Sequence, residues 1–242
     1  MADKLALLPL PEDWDRCLAV VAHPDDLEYG SASAIARWTA QSKEVSYLLL
    51  TRGEAGIDSK TPDETAILRE NEERNSAAVV GVNDVEFLEY PDGVIEYSLS
   101  LRKDIVRVIR RKCPEVLITV NHRLTFPGGM LNMADHRWAG LAILDAVRDA
   151  GNRWIFPELL QEGFDPWSGV RMVCFNGSPH PTHAVDVSDF LSQGILSLKE
   201  HRAYIENLSS RFDPEAFLSE IAVETGRTLG CRYAVSFEVI SI

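Results

Sequence analysis

The segment VVAHPDDLEYG, residues 20–30, places a histidine and two aspartates directly after an apolar run. His23 and Asp26 are three residues apart, a spacing that lets both side chains bind one metal ion. Asp25 lies between them and would point in another direction, where it could accept a proton from water at the open coordination position. Pro24 restricts the backbone of the loop. These residues predict a chelating turn that carries its own general base.

A catalytic zinc ion needs about three protein ligands and one open position, so a further ligand must come from elsewhere in the chain. The pair Asp135-His136, at the start of a predicted helix, offers an imidazole for this purpose. In the alternative interpretation, Asp25 or Asp26 only caps the helix that follows, and His23 is a polar residue at a strand end. Glu28 is expected to favour the start of that helix.

The elements that must position these residues follow from the hydrophobic pattern. Apolar runs of strand length alternate with stretches of helical periodicity, which is typical of β/α units around a mostly parallel sheet. The predicted strands cover residues 17–22, 45–51, 85–88, 116–120, 171–175 and 232–240. The predicted helices cover residues 29–42, 63–81 (capped by Asp63), 98–112 (capped by Ser98 or Ser100), 135–149 and 188–207, with a further short helix before the last strand.

No internal repeat or linker interrupts this pattern. We therefore expect a single α/β domain with a Rossmann-like, doubly wound, mostly parallel sheet. Residues 1–150 would form a metal-binding core, and residues 151–242 a C-terminal extension that completes the pocket.

The order of the strands decides which loops meet. If the first four predicted strands take the common order 3-2-1-4, strands one and four are neighbours at the point where the winding reverses. Loops that leave the C-terminal ends of these two strands then share one crevice. The loop after strand one carries His23, Asp25 and Asp26, and the loop after strand four leads to His136. The topology thus predicts that these side chains converge.

The amino-acid composition and net charge of the chain limit the kinds of molecule that it is expected to bind. The chain has 242 residues, of which 45% are hydrophobic and 25% charged, as is usual for a globular protein. Its 24 basic and 37 acidic residues give a formal charge of -13, so neither a nucleic acid nor an anionic membrane surface is an expected partner. We find no signal peptide and no run of about 18 apolar residues, which predicts a cytoplasmic protein without membrane insertion. A homo-oligomer is compatible with the sequence.

Five segments resemble the PIG-L or LmbE-like zinc-dependent N-deacetylases, which hydrolyse N-acetylglucosamine-type amides. The segments occur in the order found in that family and span roughly the first 150 residues. They are AHPDDLE (22–28), TRGEAG (51–56), RENEERNSAAVVGV (69–82), PDG (91–93) and ADHR (134–137). The last hundred residues match only loosely, chiefly in LKEHR (198–202), whose His201 is expected to serve in packing.

The resemblance implies one Zn²⁺ ion per chain, held by His23, Asp26 and His136, with Asp25 as the general base. Another divalent metal could also load, because affinity for such donors follows the Irving–Williams order. The implied reaction is metal-assisted removal of an acetyl group from the amide nitrogen of a small acetylated amino sugar.

The resemblance also implies that Glu54, Arg69 and Asp92 face the hydroxyl groups of the sugar. Each has a simpler explanation. Arg69 lies on a charged helix face, where solvated ion pairs are the usual finding, and Asp92-Gly93 is by itself a turn signal.

One position departs from the family. The family commonly has a histidine three residues before the metal-binding one, and it stabilises the oxyanion or protonates the amine; this chain has Met133 there. A thioether can do neither, and Asp135 is then expected only to cap the helix. Protonated Asp25 could itself supply the proton. The other candidates for this role lie in loops predicted at the same end of the sheet: His122, Asn132, His180 and His183.

Two alternatives to deacetylation follow. One is an amidase that removes a larger acyl group from an amino-sugar conjugate. The other is a non-catalytic metal- or sugar-binding protein that lost acid catalysis with Met133. The intact Asp25 argues against the second, because a binding site does not require a carboxylate aimed at the open position.

Overall fold

The central strands are apolar on both faces, as expected where helices cover both sides of a parallel sheet. The computed structural model describes residues 6–208 and 212–242. Within them, the strands are β1 (Leu8–Pro9), β2 (Arg16–Val21), β3 (Glu44–Leu49), β4 (Asp84–Phe87), β5 (Val116–Val120), β6 (Met172–Asn176), β7 (His183–Asp186) and β8 (Ala234–Ser241). Every residue of β5 and β6 is buried.

The helices are α1 (Ala32–Ala40), α2 (Pro62–Val79), α3 (Leu99–Lys112), α4 (Ala134–Ala150), α5 (Glu158–Gln161), α6 (Leu191–Lys199), α7 (Arg202–Glu206) and α8 (Pro214–Leu229). A 3-10 turn covers Pro127–Gly129. Among the described residues, none of these helices has the length and apolar character needed to cross a membrane. The cysteines are all free thiols, and two of them are buried.

The strands form one sheet in the order β1-β7-β8-β6-β5-β2-β3-β4. Strands β4, β3, β2, β5 and β6 run parallel to one another, whereas β8 pairs antiparallel with both β6 and β7. The first four predicted strands are β2, β3, β4 and β5, so the expected order 3-2-1-4 is confirmed. The Rossmann-like, doubly wound α/β class is confirmed with it.

The C-terminal part of the chain continues the same sheet through β6, β7 and β8. Its helix α6 packs against α1, α2 and α8, while α3 packs against α4. Gly194 allows the close approach of α6 to α1, because a β-carbon there would collide with Ser33. A small apolar cluster between α6 and α8 supplements the main core; it contains Leu191, Ile195, Leu198, Leu218 and Ala222.

Two predicted helix starts need correction. Helix α2 is capped by Thr61, not Asp63, because Thr61 and Glu64 form a reciprocal capping box and Pro62 suits the first helical position. Helix α1 begins at Ala32 rather than near residue 29, because residues 24–30 form consecutive turns. Ser98 caps α3 as predicted and accepts the Leu101 N–H at 3.1 Å.

The predicted helix at 188–207 is in fact two helices, α6 and α7, with a break at His201. The imidazole of His201 is fully buried, so the chain turns to place a polar ring inside the protein. The prediction that His183 lies in a loop is also wrong, because His183 is the first residue of strand β7. A strand of four residues beside two prolines carries too little periodicity to be recognised from sequence.

Candidate active site

The three predicted metal ligands converge at the C-terminal ends of β2 and β5. His23 Nδ1 lies 3.3 Å from His136 Nε2 and 3.7 Å from Asp26 Oδ2. Asp26 Oδ1 is 2.9 Å from His136 Nε2. One donor atom from each residue lies within 4.8 Å of the other two, and all three residues are buried. Two imidazoles and one carboxylate in this arrangement fit a divalent metal such as zinc.

The imidazole of His23 is oriented from behind by two carboxylates. Its Nε2 atom lies 3.1 Å from Asp135 Oδ2 and 3.1 Å from Asp92 Oδ1. Ionised carboxylates only accept hydrogen bonds, so this nitrogen carries the proton and Nδ1 is left with a lone pair for an ion. Burial disfavours the charged ring, but the hydrogen bonds to these carboxylates and to Asp26 raise the pKa of His23 well above its ordinary value, so a cation that binds Nδ1 must displace a proton from it.

Asn132 performs the same task for His136. Its Oδ1 lies 3.1 Å from His136 Nδ1, and its Nδ2 donates to the backbone oxygens of Asn121 and Arg123 at 2.6 and 2.9 Å. The amide of Asn132 is therefore occupied within the protein and is buried. This arrangement directs His136 Nε2 towards the other two predicted ligands.

Asp25 is held by two contacts in a strained backbone conformation. Its φ is 93°, a region that residues with a side chain rarely adopt and that occurs often at functional sites. Its N–H donates to Glu73 Oε2 at 3.2 Å, and its Oδ2 accepts from Arg69 Nη2 at 2.9 Å. Burial raises the pKa of Asp25 to about 6, although the charge of the Arg69 guanidinium opposes the shift.

The guanidinium of Arg69 is enclosed rather than exposed on a helix face. It also donates to the carbonyl oxygens of Pro24 and, at 3.3 Å, of Gly53, and it lies 4.4 Å from the centre of the Tyr204 ring. A β-carbon on Gly53 would lie 2.6 Å from Arg69 Nη1, and one on Gly56 would lie closer still. The glycines of TRGEAG therefore provide the space that Arg69 occupies.

Glu54 and Asp92 form a chain of contacts that ends at His23. Glu54 Oε1 accepts the Asp92 N–H at 2.8 Å, and Asp92 Oδ2 accepts the Ala55 N–H at 2.8 Å. The other oxygen of Asp92 contacts His23. The polar atoms predicted to face sugar hydroxyls thus have partners inside the protein, and direct contact of Glu54, Arg69 and Asp92 with a sugar stays a prediction.

Asp135 corrects one expectation from the sequence. It does not cap α4, whose N-cap is Met133. Besides the contact with His23, its two oxygens accept the N–H groups of Gly93 at 2.7 Å and Ile95 at 3.0 Å. Asp135 therefore joins the start of α4, the PDG loop and a predicted metal ligand.

A cavity of about 730 Å³ opens onto the convergent side chains, and His23, Asp25, Asp26 and His136 line it. Much of its remaining wall is apolar. The segment before α4 supplies Phe126, Met130 and Met133, and the C-terminal part supplies Leu191, Leu208, Phe217, Leu218 and Ile221. A second cavity of about 500 Å³, near Val147 and Ile242, contains none of the predicted site residues.

None of the four predicted replacements for the missing histidine is among the described residues that line the large cavity. His122 is half-buried and packs on the Phe175 ring with 4.4 Å between ring centres, and burial lowers its pKa. His180 is exposed. His183 Nδ1 lies 2.9 Å from the hydroxyl oxygen of the neighbouring Thr182. The proton-donating role of each of the four stays a prediction.

Sequence reasoning missed several polar residues of the cavity wall. They are Tyr29, Asn121, Asn176, Ser178 and Tyr204. Asn121 directly follows β5 and Asn176 ends β6, so the rule that ligands bind at the carboxyl ends of parallel strands could have identified both. Tyr204 carried no such signal, because it lies on α7 within a segment predicted as one continuous helix.

Comparison with known proteins agrees with this geometry. The family described as PIG-L, GlcNAc-PI de-N-acetylase, matches residues 18–147, more than half of the chain. The diacetylchitobiose deacetylase of Thermococcus kodakarensis is 32% identical over 225 residues, which cover 92% of this chain and 82% of that protein. The chain belongs to the PIG-L family. The resemblance recognised from the sequence is thereby confirmed.

Other members of the PIG-L family are also similar to this chain. A 1D-myo-inositol 2-acetamido-2-deoxy-alpha-D-glucopyranoside deacetylase of Kineococcus radiotolerans is 35% identical over 189 residues, covering 61% of this chain and 51% of that protein. The structure of N,N'-diacetylchitobiose deacetylase from Pyrococcus horikoshii has a TM-score of 0.83 at 25% identity, covering 94% and 84% of the two chains. These relatives are deacetylases, which are hydrolases of amide bonds, and PIG-L deacetylases depend on a metal.

Proposed function

We propose that this protein is a metal-dependent N-deacetylase that removes the acetyl group from the amide nitrogen of an N-acetylglucosamine-type or related small substrate. The observation that carries the proposal is the convergence of His23, Asp26 and His136 beside Asp25, on the wall of one cavity. The deacetylases of the PIG-L family that match most of the chain support the same reaction.

His23 Nδ1, Asp26 and His136 Nε2 would hold one zinc ion, for which two imidazoles, one carboxylate and an open position are a common donor set. When bound, such an ion polarises an amide carbonyl and makes water more acidic. Asp92 and Asp135 keep His23 in the required tautomer, and Asn132 does so for His136.

Asp25 acts as the general base. It takes a proton from the attacking water, and a pKa of about 6 leaves its carboxylate ionised near neutral pH while allowing it to hold that proton. Arg69 fixes the direction of the carboxylate through the 2.9 Å bond to Oδ2. Asp25 then returns the proton to the departing amine, because Met133 has none to give.

The substrate class follows from the relatives and the cavity. Two of the relatives are named for acetylated amino sugars, and a volume of about 730 Å³ is within the usual range for a small-molecule site. We propose no partner other than this small molecule. Three expectations from the sequence stay predictions: the lack of a nucleic-acid partner, the cytoplasmic location and a homo-oligomeric state.

The apolar part of the cavity wall favours a second candidate, an amidase that removes a larger acyl group from an amino-sugar conjugate. Phe126, Met130, Phe217 and Ile221 offer aromatic and aliphatic surface to a ligand. An acetyl methyl group is too small to use this surface, whereas a longer acyl chain would gain free energy by leaving water there.

A substrate panel separates these candidates. The zinc-loaded protein is incubated with N-acetylglucosamine, N,N'-diacetylchitobiose and N-octanoylglucosamine, with and without a chelator, and the released acid and free amine are measured. We expect acetate and amine in equal amounts, lost on chelation and restored by zinc. Preferential release of octanoate would instead support the second candidate. Binding of the sugars without release of acid from any of them would contradict both and favour a non-catalytic binding protein.

A further inference from the structure

A second group of side chains of the types that bind metals lies behind the Asp25 loop. Glu28 comes from the loop after β2, Glu73 from α2 and His201 from the junction of α6 and α7. Glu28 and Glu73 are each 1% exposed and His201 is 0% exposed. One donor atom from each lies within 4.8 Å of the others. No residue of this cluster belongs to the predicted catalytic triad.

The spacing within this cluster is too long for direct hydrogen bonds. His201 Nε2 lies 3.6 Å from Glu28 Oε2 and 3.7 Å from Glu73 Oε2, whereas an imidazole–carboxylate hydrogen bond is about 2.7–2.9 Å. Two donors that bind one ion at about 2.0–2.2 Å lie roughly 3.3–3.7 Å apart when the angle is near tetrahedral or trigonal. The His23–His136 and His23–Asp26 pairs of the catalytic triad, at 3.3 and 3.7 Å, fall in the same range.

The cluster also gathers buried polar atoms that lack partners. Within residues 6–208 and 212–242, no hydrogen bond reaches Glu28 Oε2, Glu73 Oε1 or either ring nitrogen of His201. The hydroxyl of Tyr47 is likewise unpartnered, and its pKa is raised by burial and by the charges of Glu28 and Glu73. Buried polar groups are ordinarily satisfied, so these lone pairs indicate a shared ligand.

Hydrogen bonds from the protein already hold both carboxylates of the cluster in place. Glu28 Oε1 accepts hydrogen bonds from Ser76 Oγ at 2.7 Å and Ser197 Oγ at 3.4 Å. Glu73 Oε2 accepts the backbone N–H of Asp25 at 3.2 Å. Hydrogen bonds to metal-binding carboxylates are typical of metal sites, where they fix the direction of the donor atoms.

Charge points to a cation as well. With both carboxylates ionised, the cluster would carry two negative charges beside a neutral imidazole and one beside a protonated His201, whose pKa is lowered by burial but raised to about 9 by Glu28 and Glu73. Burial of uncompensated charge is strongly unfavourable. Burial and the charge of Glu28 raise the pKa of Glu73 well above its ordinary value, so protons on Glu73 and His201 compensate the charge when no cation is bound. A divalent cation would displace these protons and balance the two carboxylates.

We propose that Glu28, Glu73 and His201 form a second divalent-cation site, which takes a transition metal such as Zn²⁺ and anchors the Asp25 loop from behind. The imidazole favours a transition metal over Ca²⁺ or Mg²⁺, which prefer oxygen donors. The ion fixes Glu73, and Glu73 holds the Asp25 N–H, so the strained backbone of the general base is supported from the protein interior.

Anomalous diffraction from crystals of the full chain grown with excess Zn²⁺ locates each ion directly. We expect two peaks per chain, one at the triad and one about 2.0–2.3 Å from the donor atoms of Glu28, Glu73 and His201. Metal analysis of the same protein should give two zinc ions per chain. A single peak at the triad with one zinc per chain would overturn the second site. A single peak at the Glu28 cluster would support it and contradict the catalytic assignment instead.

Variants assign the two ions independently. His201→Gln and Glu73→Gln should reduce the zinc content from two to one per chain, whereas His136→Ala should lose the other ion. Two matched controls should keep both ions: His180→Gln, at an exposed histidine, and Glu70→Gln, on α2 but paired with Arg52. Retention of two zinc ions by folded His201→Gln would contradict the proposal. If a variant does not fold, the diffraction result on the unsubstituted protein decides.

Discussion

Asp135 accepts a hydrogen bond from the imidazole of His23, with 3.1 Å between Oδ2 and Nε2. The same carboxylate binds the N–H groups of Gly93 and Ile95. One buried side chain therefore couples the first turn of α4 to the loop after β4 and to a predicted metal ligand. Such contacts commonly set both the tautomer and the affinity of a metal-binding histidine.

Replacement of Asp135 tests this coupling. Asp135→Asn keeps the size of the side chain but removes the charge that favours a protonated Nε2 on His23. We expect the affinity for zinc at the triad to fall by about 10- to 100-fold, measured by competition with a chromophoric chelator. Asp145→Asn, on the exposed face of the same helix, is the control and should bind as the unsubstituted protein does. Equal affinities in the two variants would contradict the orienting role of Asp135.

Gly56→Ala tests the support of Asp25 by Arg69. The new methyl group would overlap Arg69 Nη1, so the guanidinium must move and its bond to Asp25 Oδ2 must lengthen. A shift of about 1 Å in a catalytic group can reduce the rate by roughly 100-fold, and we expect a loss of this order in kcat with the zinc content unchanged. Ser59→Ala, in the same loop, serves as the control. A Gly56→Ala protein with full activity would show that Arg69 does not position the base.

Met133→His tests the origin of the amine proton. Met133 lies at the start of α4 on the cavity wall, and a histidine there would add a group able to donate a proton. A well-positioned general acid contributes about 10²- to 10⁴-fold. Because the new histidine would lack residues selected to orient it, we expect a smaller gain in kcat, of about tenfold. Met133→Gln is polar but carries no transferable proton, and it should show no gain. No gain in either variant would mean that Asp25 suffices as the acid.

The sequence predicted the position of the catalytic loop more directly than any other part of the site. His23, Asp25 and Asp26 follow an apolar run that reads as a buried strand, and the common strand order places the turn before His136 next to it. The convergence of these residues with His136 therefore follows from the local hydrophobic pattern and from a general rule of strand order.

The supporting contacts could not be predicted in the same way. Asp135 accepts hydrogen bonds from Gly93 and Ile95, about forty residues away in the sequence. A helix-start motif does not indicate such distant partners. The residues around His201 continue a helical pattern, and the break there coincides with the burial of its ring beside Glu28 and Glu73, which lie far away in the sequence. Glu28 was predicted to favour the start of the next helix. The sequence could not show its actual role, because the serines that donate hydrogen bonds to it, Ser76 and Ser197, lie on helices distant in the sequence.

Removal of the Asp25 carboxylate tests amide hydrolysis at this site most directly. Asparagine tolerates a positive φ better than most residues, so Asp25→Asn should keep the loop and bind zinc at the triad as the unsubstituted protein does. With no carboxylate to take the proton of the attacking water, release of acetate from a substrate that the unsubstituted protein deacetylates should fall by about 10²- to 10⁴-fold. Unchanged acetate release by zinc-loaded Asp25→Asn would contradict the assignment of Asp25 as the general base.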